Sequence, residues 1–262
     1  MHPIRIWQWP NLLALDAALI ALAWQVVFAN TLGLQISATA QIVLGLSVWL
    51  TYMADRLFDV TKRPIEQLYS TRHRFAKRHT HVLWTVWSGT LTLNIGIALT
   101  GLSNKELLNG FILLALCLLY TALNQALSHR FFPKEICVAL IFVGGVIVFL
   151  LPNAALWMPS AALTLLCLIN CLMIGLKEKR VDAALQVKSM ARLPSQITLI
   201  LKLICGGTLF YLTPEAALPI GLSLGTLCMI HAYQRRLSTE AYRVLVDCAL
   251  FAGPVTAWCI LA

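Results

Sequence analysis

Long apolar runs separated by short polar stretches set the rhythm of this chain. Nine such runs fall near residues 10–29, 36–54, 82–101, 105–126, 136–152, 157–176, 194–213, 216–232 and 243–261. Each approaches the roughly 20 helical residues that cross a hydrocarbon core of about 30 Å. The pattern predicts an all-α, polytopic membrane bundle of about nine transmembrane helices around a cavity open to the cytoplasmic side. No long polar segment lies between the runs, and Pro, Gly and Ser never cluster into a linker, so residues 1–262 read as one integral-membrane domain. Asp16 interrupts the first run and no A-x-A-like site follows before Gln35, which makes this run a retained span rather than a cleaved signal.

Composition agrees with that reading: hydrophobic residues make up 59% of the chain, charged residues 12%, and the mean hydropathy is +0.78. The basic residues are unevenly placed. Arg5 precedes the first run, and Arg56, Lys62, Arg63, Arg72, Arg74, Lys77 and Arg78 follow the second. Arg130 and Lys134 follow the fourth, Lys177 to Arg192 the sixth, and Arg235, Arg236 and Arg243 lie between the eighth and ninth. The alternate loops carry Lys105 alone. Loops retained in the cytoplasm are rich in Lys and Arg, so a cytoplasmic N-terminus and a C-terminus across a bacterial-type inner membrane are expected. The net charge of +9 is thereby accounted for without nucleic acid.

Against so few charges, two segments stand out. Asp55-Arg56-Leu57-Phe58-Asp59 and Glu178-Lys179-Arg180-Val181-Asp182 each place two carboxylates four residues apart where an apolar run meets a basic loop. An i,i+4 pair lies on one helix face, and two converging pairs would offer hard oxygen ligands to divalent cations. Their equivalent positions, at the ends of the second and sixth runs, suggest a weak internal repeat around a shared cavity. Four carboxylates beside many bases and a greasy cavity suit a lipid diphosphate. Mg2+ held by Asp55, Asp59, Glu178 and Asp182 would neutralise a diphosphate leaving group, with Arg56, Lys62 and Lys188 on its oxygens or orienting the carboxylates. A dry, aromatic-lined cavity would protect an allylic carbocation from water.

These residues resemble the signatures of the UbiA-type intramembrane prenyltransferases. The first signature of that family, N-D-x-x-D-x-x-x-D, is similar to Thr51-Tyr52-Met53-Ala54-Asp55-Arg56-Leu57-Phe58-Asp59, with Lys62 and Arg63 following. The A-D-R-x-F-D core resembles that of the 4-hydroxybenzoate branch. The second signature is similar to Glu178 through Asp182, then Gln186-Val187-Lys188-Ser189, and Tyr120 resembles the start of the Y-[PS]-x-x-K-R element. Thr51 and Tyr52 stand where the family has Asn and Asp, Asn124-Gln125 where it has Lys-Arg, Glu178 for Asp and Gln186 for Gly. The resemblance covers essentially the whole chain. It implies a Mg2+-dependent transfer of a polyprenyl group from its diphosphate to a small, aromatic acceptor, with Tyr120 among the substrate-binding residues.

Plainer readings stand beside each feature. The acid pairs can simply balance neighbouring Lys and Arg at the membrane border. The stretch Thr71 to His81 is either a basic lid over a diphosphate or a helix on anionic headgroups, the latter favoured. A metal role for its histidines fits no standard ligand spacing. Eight cysteines without a C-x-x-C pair read as packing residues. Asp16, Lys202 and Asp247 lie inside apolar runs and should face the bundle interior, with Lys202 pairing one of the acids. Two other functions remain open: a non-catalytic lipid-binding or scaffold member of the same fold, and a small transporter using Asp16, Lys202 and Asp247 as a relay.

Overall fold

A backbone in an apolar setting must satisfy its own hydrogen bonds, and this chain does so with helices. The computed structural model describes residues 4–61, 64–68, 70–127, 133–178 and 196–261, and among these the regular structure is entirely helical. In order come α1 (Trp9–Leu12), α2 (Leu15–Thr31), α3 (Ala38–Thr61), α4 (Thr71–Arg78), α5 (Thr80–Gly101), α6 (Asn104–Leu127) and α7 (Lys134–Ile147). Then follow α8 (Trp157–Lys177), α9 (Gln196–Thr208), α10 (Pro214–Ala232) and α11 (Thr239–Leu261).

Eight of the predicted apolar runs each fall on one helix, and the first is divided between α1 and α2. By length and composition, however, four of the described helices can cross a membrane: α5, most of α6, α8 with the short turn before it, and α10. The α1–α2 pair makes a fifth if it counts as one span bent by 77°. Helices α7 and α9, with 14 and 13 residues, are too short to cross alone.

Burial separates helices that hydropathy alone treats alike. Of the apolar window in α8, 56% is buried, against 0% in α6. The large core gathers around α8: Leu163, Leu166, Ile169 and Met173 meet Trp24 and Phe28 of α2, Val143 and Val146 of α7, and Val246 and Leu250 of α11. Helices α5 and α6 turn Val82, Leu93, Phe111 and Leu118 outward, as an apolar solvent permits. The tightest approach joins α10 and α11. A Cβ placed on Gly253 would lie 2.0 Å from the Pro219 carbonyl oxygen, so only glycine fits there.

A smaller cluster, Ala14, Met53, Leu57, Val60, Leu68, Ala76 and Leu83, closes the end of the bundle that carries the basic stretches. Here the backbone breaks between α1 and α2, with Ala14 in the left-handed region at φ 54°. A break exposes carbonyls that a continuous helix would satisfy. Helix α3 satisfies them: Arg56 Nη1 donates to the Asn11 and Leu12 oxygens at 2.8 and 2.6 Å, and Trp49 Nε1 to Leu13 at 2.8 Å. Both side chains lie on the same helix as Asp55 and Asp59, so one helix supports the break and presents the acids.

Candidate functional site

Side chains at helical spacing turn several of these helices toward one space. Tyr52, Asp55 and Asp59 share one face of α3, and Cys167, Asn170, Cys171, Ile174 and Glu178 share one face of α8 and its end. Val138, Ala139 and Phe142 do the same on α7, Tyr120 and Asn124 on α6, and Asp247 and Leu250 on α11. Asn11, Asp16, Ala17 and Ile20 come from the broken α1–α2 pair, and Arg72 and His73 from α4. Together they enclose a cavity of about 270 Å³ at the basic end of the bundle.

Asp55, Asp59 and Glu178 therefore converge on one cavity, with different partners. Asp55 is exposed to the cavity and has no hydrogen-bond or ion-pair partner among the described residues. Asp59 is partly exposed, with His73 Nε2 at 3.8 Å from its Oδ2. Glu178 is buried, and both of its carboxylate oxygens meet a guanidinium: Oε1 pairs with Arg243 Nη1, and Oε2 lies 3.4 Å from Arg72 Nη2. Arg243 in turn reaches Glu240 at 3.0 Å, whose other oxygen accepts from the Thr71 amide at 2.9 Å. Asp182, Lys62 and Lys188 lie outside the described residues.

These bonds hold α4 across the end of the cavity. Ser70 caps the helix by accepting from the His73 amide at 3.3 Å, and Lys77 Nζ donates to the Val60 and Thr61 carbonyls at the end of α3. His73 and Ala76 are buried, so α4 packs against protein on one face rather than resting wholly on a lipid surface. Burial alone would lower the pKa of Arg72. The carboxylates of Glu178, Asp247, Asp59 and Asp55 together outweigh it, Glu178 the most among them, and the net effect is a rise above the usual arginine value. Arg72 thus remains a cation at the cavity wall.

Arg56 lines the cavity but is largely buried, and its Nη1 is committed to the two carbonyls at the break. Tyr120 is half-buried in the wall. Tyr52, at the position where the resemblance expects an Asp, meets Phe142 edge-on with centroids 6.5 Å apart.

Asp16 and Asp247 also reach the cavity, but neither pairs with Lys202. That lysine lies near Cys228 and His231 on α10 instead. Asn11 Nδ2 bridges the two acids, donating to Asp16 Oδ2 at 2.7 Å and Asp247 Oδ2 at 3.3 Å. Asn170 Nδ2 donates to Asp247 Oδ1 at 3.3 Å and to the Val246 carbonyl at 3.0 Å. Sequence reasoning passed over Asn11, Asn170, Glu135 and the partnership of Arg243 with Glu178. Polar residues within apolar runs were the available signal for the two asparagines. Nothing in the sequence distinguishes Arg243 from the other bases of its loop.

Among the described residues of the lining, six carboxylates (Asp16, Asp55, Asp59, Glu135, Glu178, Asp247) face three fixed cations (Arg56, Arg72, Lys134), and Arg243 neutralises Glu178 from behind. Among the described residues, no three His, Cys, Asp or Glu side chains gather into a metal-ligating group. Mg2+ does not require one, because it keeps several waters and takes one or two carboxylates together with substrate phosphates. Asp55 and Asp59 fit that mode. No protein-family model matches the chain, and no curated protein or solved structure matches it either.

Proposed function

We propose that the chain is a membrane-embedded, Mg2+-dependent prenyltransferase of about nine spans, with the basic end of its bundle in the cytoplasm. It would transfer a polyprenyl group from its diphosphate to a small, aromatic acceptor. The observation that carries this reading is one cavity in which the acids of α3, the apolar walls of α7 and α8 and the cation of α4 meet. The excess of carboxylates among the described lining residues, Glu178 aside, would repel a bare diphosphate, so such a ligand would enter with divalent cations.

In this reading Asp55 and Asp59, together with Asp182, would hold Mg2+, and the metal would supply charge neutralisation for the diphosphate. Arg72 and Lys134 add positive charge from the protein, and Lys62 and Lys188 extend it. Glu178 holds Arg72 and Arg243 in place. Phe142, Ile20, Val138 and Leu250 exclude water from the prenyl chain. Tyr120 and Tyr52 contribute ring faces to the same wall.

Binding of a non-hydrolysable prenyl diphosphate analogue to the purified protein in detergent, with and without Mg2+, is the test. Mg2+-dependent binding that Asp55→Asn abolishes supports the site, and turnover with an acceptor panel completes it. Metal-independent binding, or none, overturns the proposal. The engagement of Glu178 by two guanidinium groups favours a second reading, a non-catalytic member of the same fold that binds the lipid diphosphate without turning it over. Mg2+-dependent binding without product from any acceptor would select it.

A further inference from the structure

The cavity has two tiers. Asp59, Arg72, His73 and Glu178 lie at its outer end, where α3 and α8 finish and α4 crosses. Tyr52 on α3 and Asn170 on α8 lie about two helical turns, roughly 10 Å, farther in. Asp247 lies one helical turn, roughly 6 Å, along α11 from Arg243, the partner of Glu178; Asn170 donates to it, and Asn11 links it to Asp16.

We infer that this inner tier is the acceptor subsite, and that it takes an uncharged hydroxyl group while rejecting a carboxylate. The inference rests on the prenyl-transfer reading and names the acceptor chemistry within it. Both hydrogens of the Asn11 amide are directed to the two carboxylates, and both hydrogens of the Asn170 amide go to Asp247 and Val246. The amides therefore have no donor left for a ligand. The two carboxylates keep acceptor capacity: Asp16 Oδ1 already takes the Ala17 amide at 2.9 Å, yet each carboxylate oxygen can accept more than the one bond it receives.

No ion pair among the described residues engages either acid. Arg56, whose charge acts on Asp16, has committed Nη1 to the backbone, and Arg243 and Arg72 act on Asp247 from the outer end without an ion pair. A ligand group arriving here meets acceptors, negative charge and low surrounding polarity from Ile20, Phe142 and Leu250. A hydroxyl donor satisfies all three. A second anion would be repelled and would lose its own hydration.

Two probes of equal ring size decide the matter, 4-hydroxybenzyl alcohol and 4-hydroxybenzoate, titrated separately into the wild-type protein in lipid nanodiscs without prenyl diphosphate or Mg2+. The alcohol should bind at least about tenfold more tightly, the scale of one charge-assisted hydrogen bond. Asp247→Asn and Asp16→Asn should each weaken the alcohol. The benzoate binding as tightly as the alcohol, neither probe binding, or both inner variants leaving the alcohol unaffected overturns the inference. The wild-type comparison needs no variant to fold. Because the diphosphate is absent, a failure here leaves the outer site standing, and a failure of diphosphate binding leaves this measurement readable.

Discussion

Replacing Arg243 with Met removes the cation that neutralises Glu178 in a setting where water cannot substitute for it. The Arg243 side chain is 2% exposed and that of Glu178 is 6% exposed. Removing one member of such a buried pair costs roughly 3–5 kcal/mol. Arg72 stays beside Glu178 at 3.4 Å, and the partly exposed Glu240 can turn to water, so the low end, about 3 kcal/mol, is expected. For a chain of this size that lowers the apparent melting midpoint by roughly 6–12 °C. The assay is intrinsic-fluorescence thermal unfolding in one detergent at one scan rate, because membrane proteins often unfold irreversibly. Glu178→Gln alone should destabilise as well, by stranding two guanidinium groups. The double variant Arg243→Met/Glu178→Gln should recover at least about 1.5 kcal/mol relative to the sum of the single changes. An unchanged midpoint in Arg243→Met, or strict additivity in the double variant, refutes the claim that Glu178 is held by arginines.

Asp55→Asn should melt within about 1 °C of wild type, since the residue is exposed to the cavity and unpaired, while EDTA should abolish diphosphate-analogue binding to the wild type. Arg56→Leu leaves the Asn11 and Leu12 carbonyls without their donor and should cost about 2–3 kcal/mol, measured as a midpoint shift and as faster proteolysis near the α1–α2 break. Gly253→Ala drives a methyl into the Pro219 carbonyl and should cost about 3 kcal/mol or more, read as loss of the monodisperse peak in size exclusion after mild heating.

Much of the fold is legible because hydrophobicity and length are local properties. The nine apolar runs fall on helices, the first on the broken α1–α2 pair, and Asp59 and Glu178 lie at the ends of α3 and α8. What hydropathy could not rank is burial. Helices α6 and α8 are similarly apolar, yet one faces outward and the other forms the core, because in an apolar solvent both faces of a helix can be greasy. The stretch Thr71 to His81 shows the same limit: its bases suggested a lipid surface, whereas Ser70, His73 and Ala76 dock it on protein.

The site divides in the same way. The i,i+4 spacing of Asp55 and Asp59 was enough to place both on one helix face, and helical periodicity alone carries that information. The sequence by itself determined an apolar, helical chain, the clustering of its basic residues and the presence of acids beside them. Only the tertiary structure decided which charge meets which. Glu178 and Arg243 are 65 residues apart, and Asn11 and Asp247 are 236 apart. Pairings over such separations depend on how rigid helices pack, and no local pattern encodes that packing.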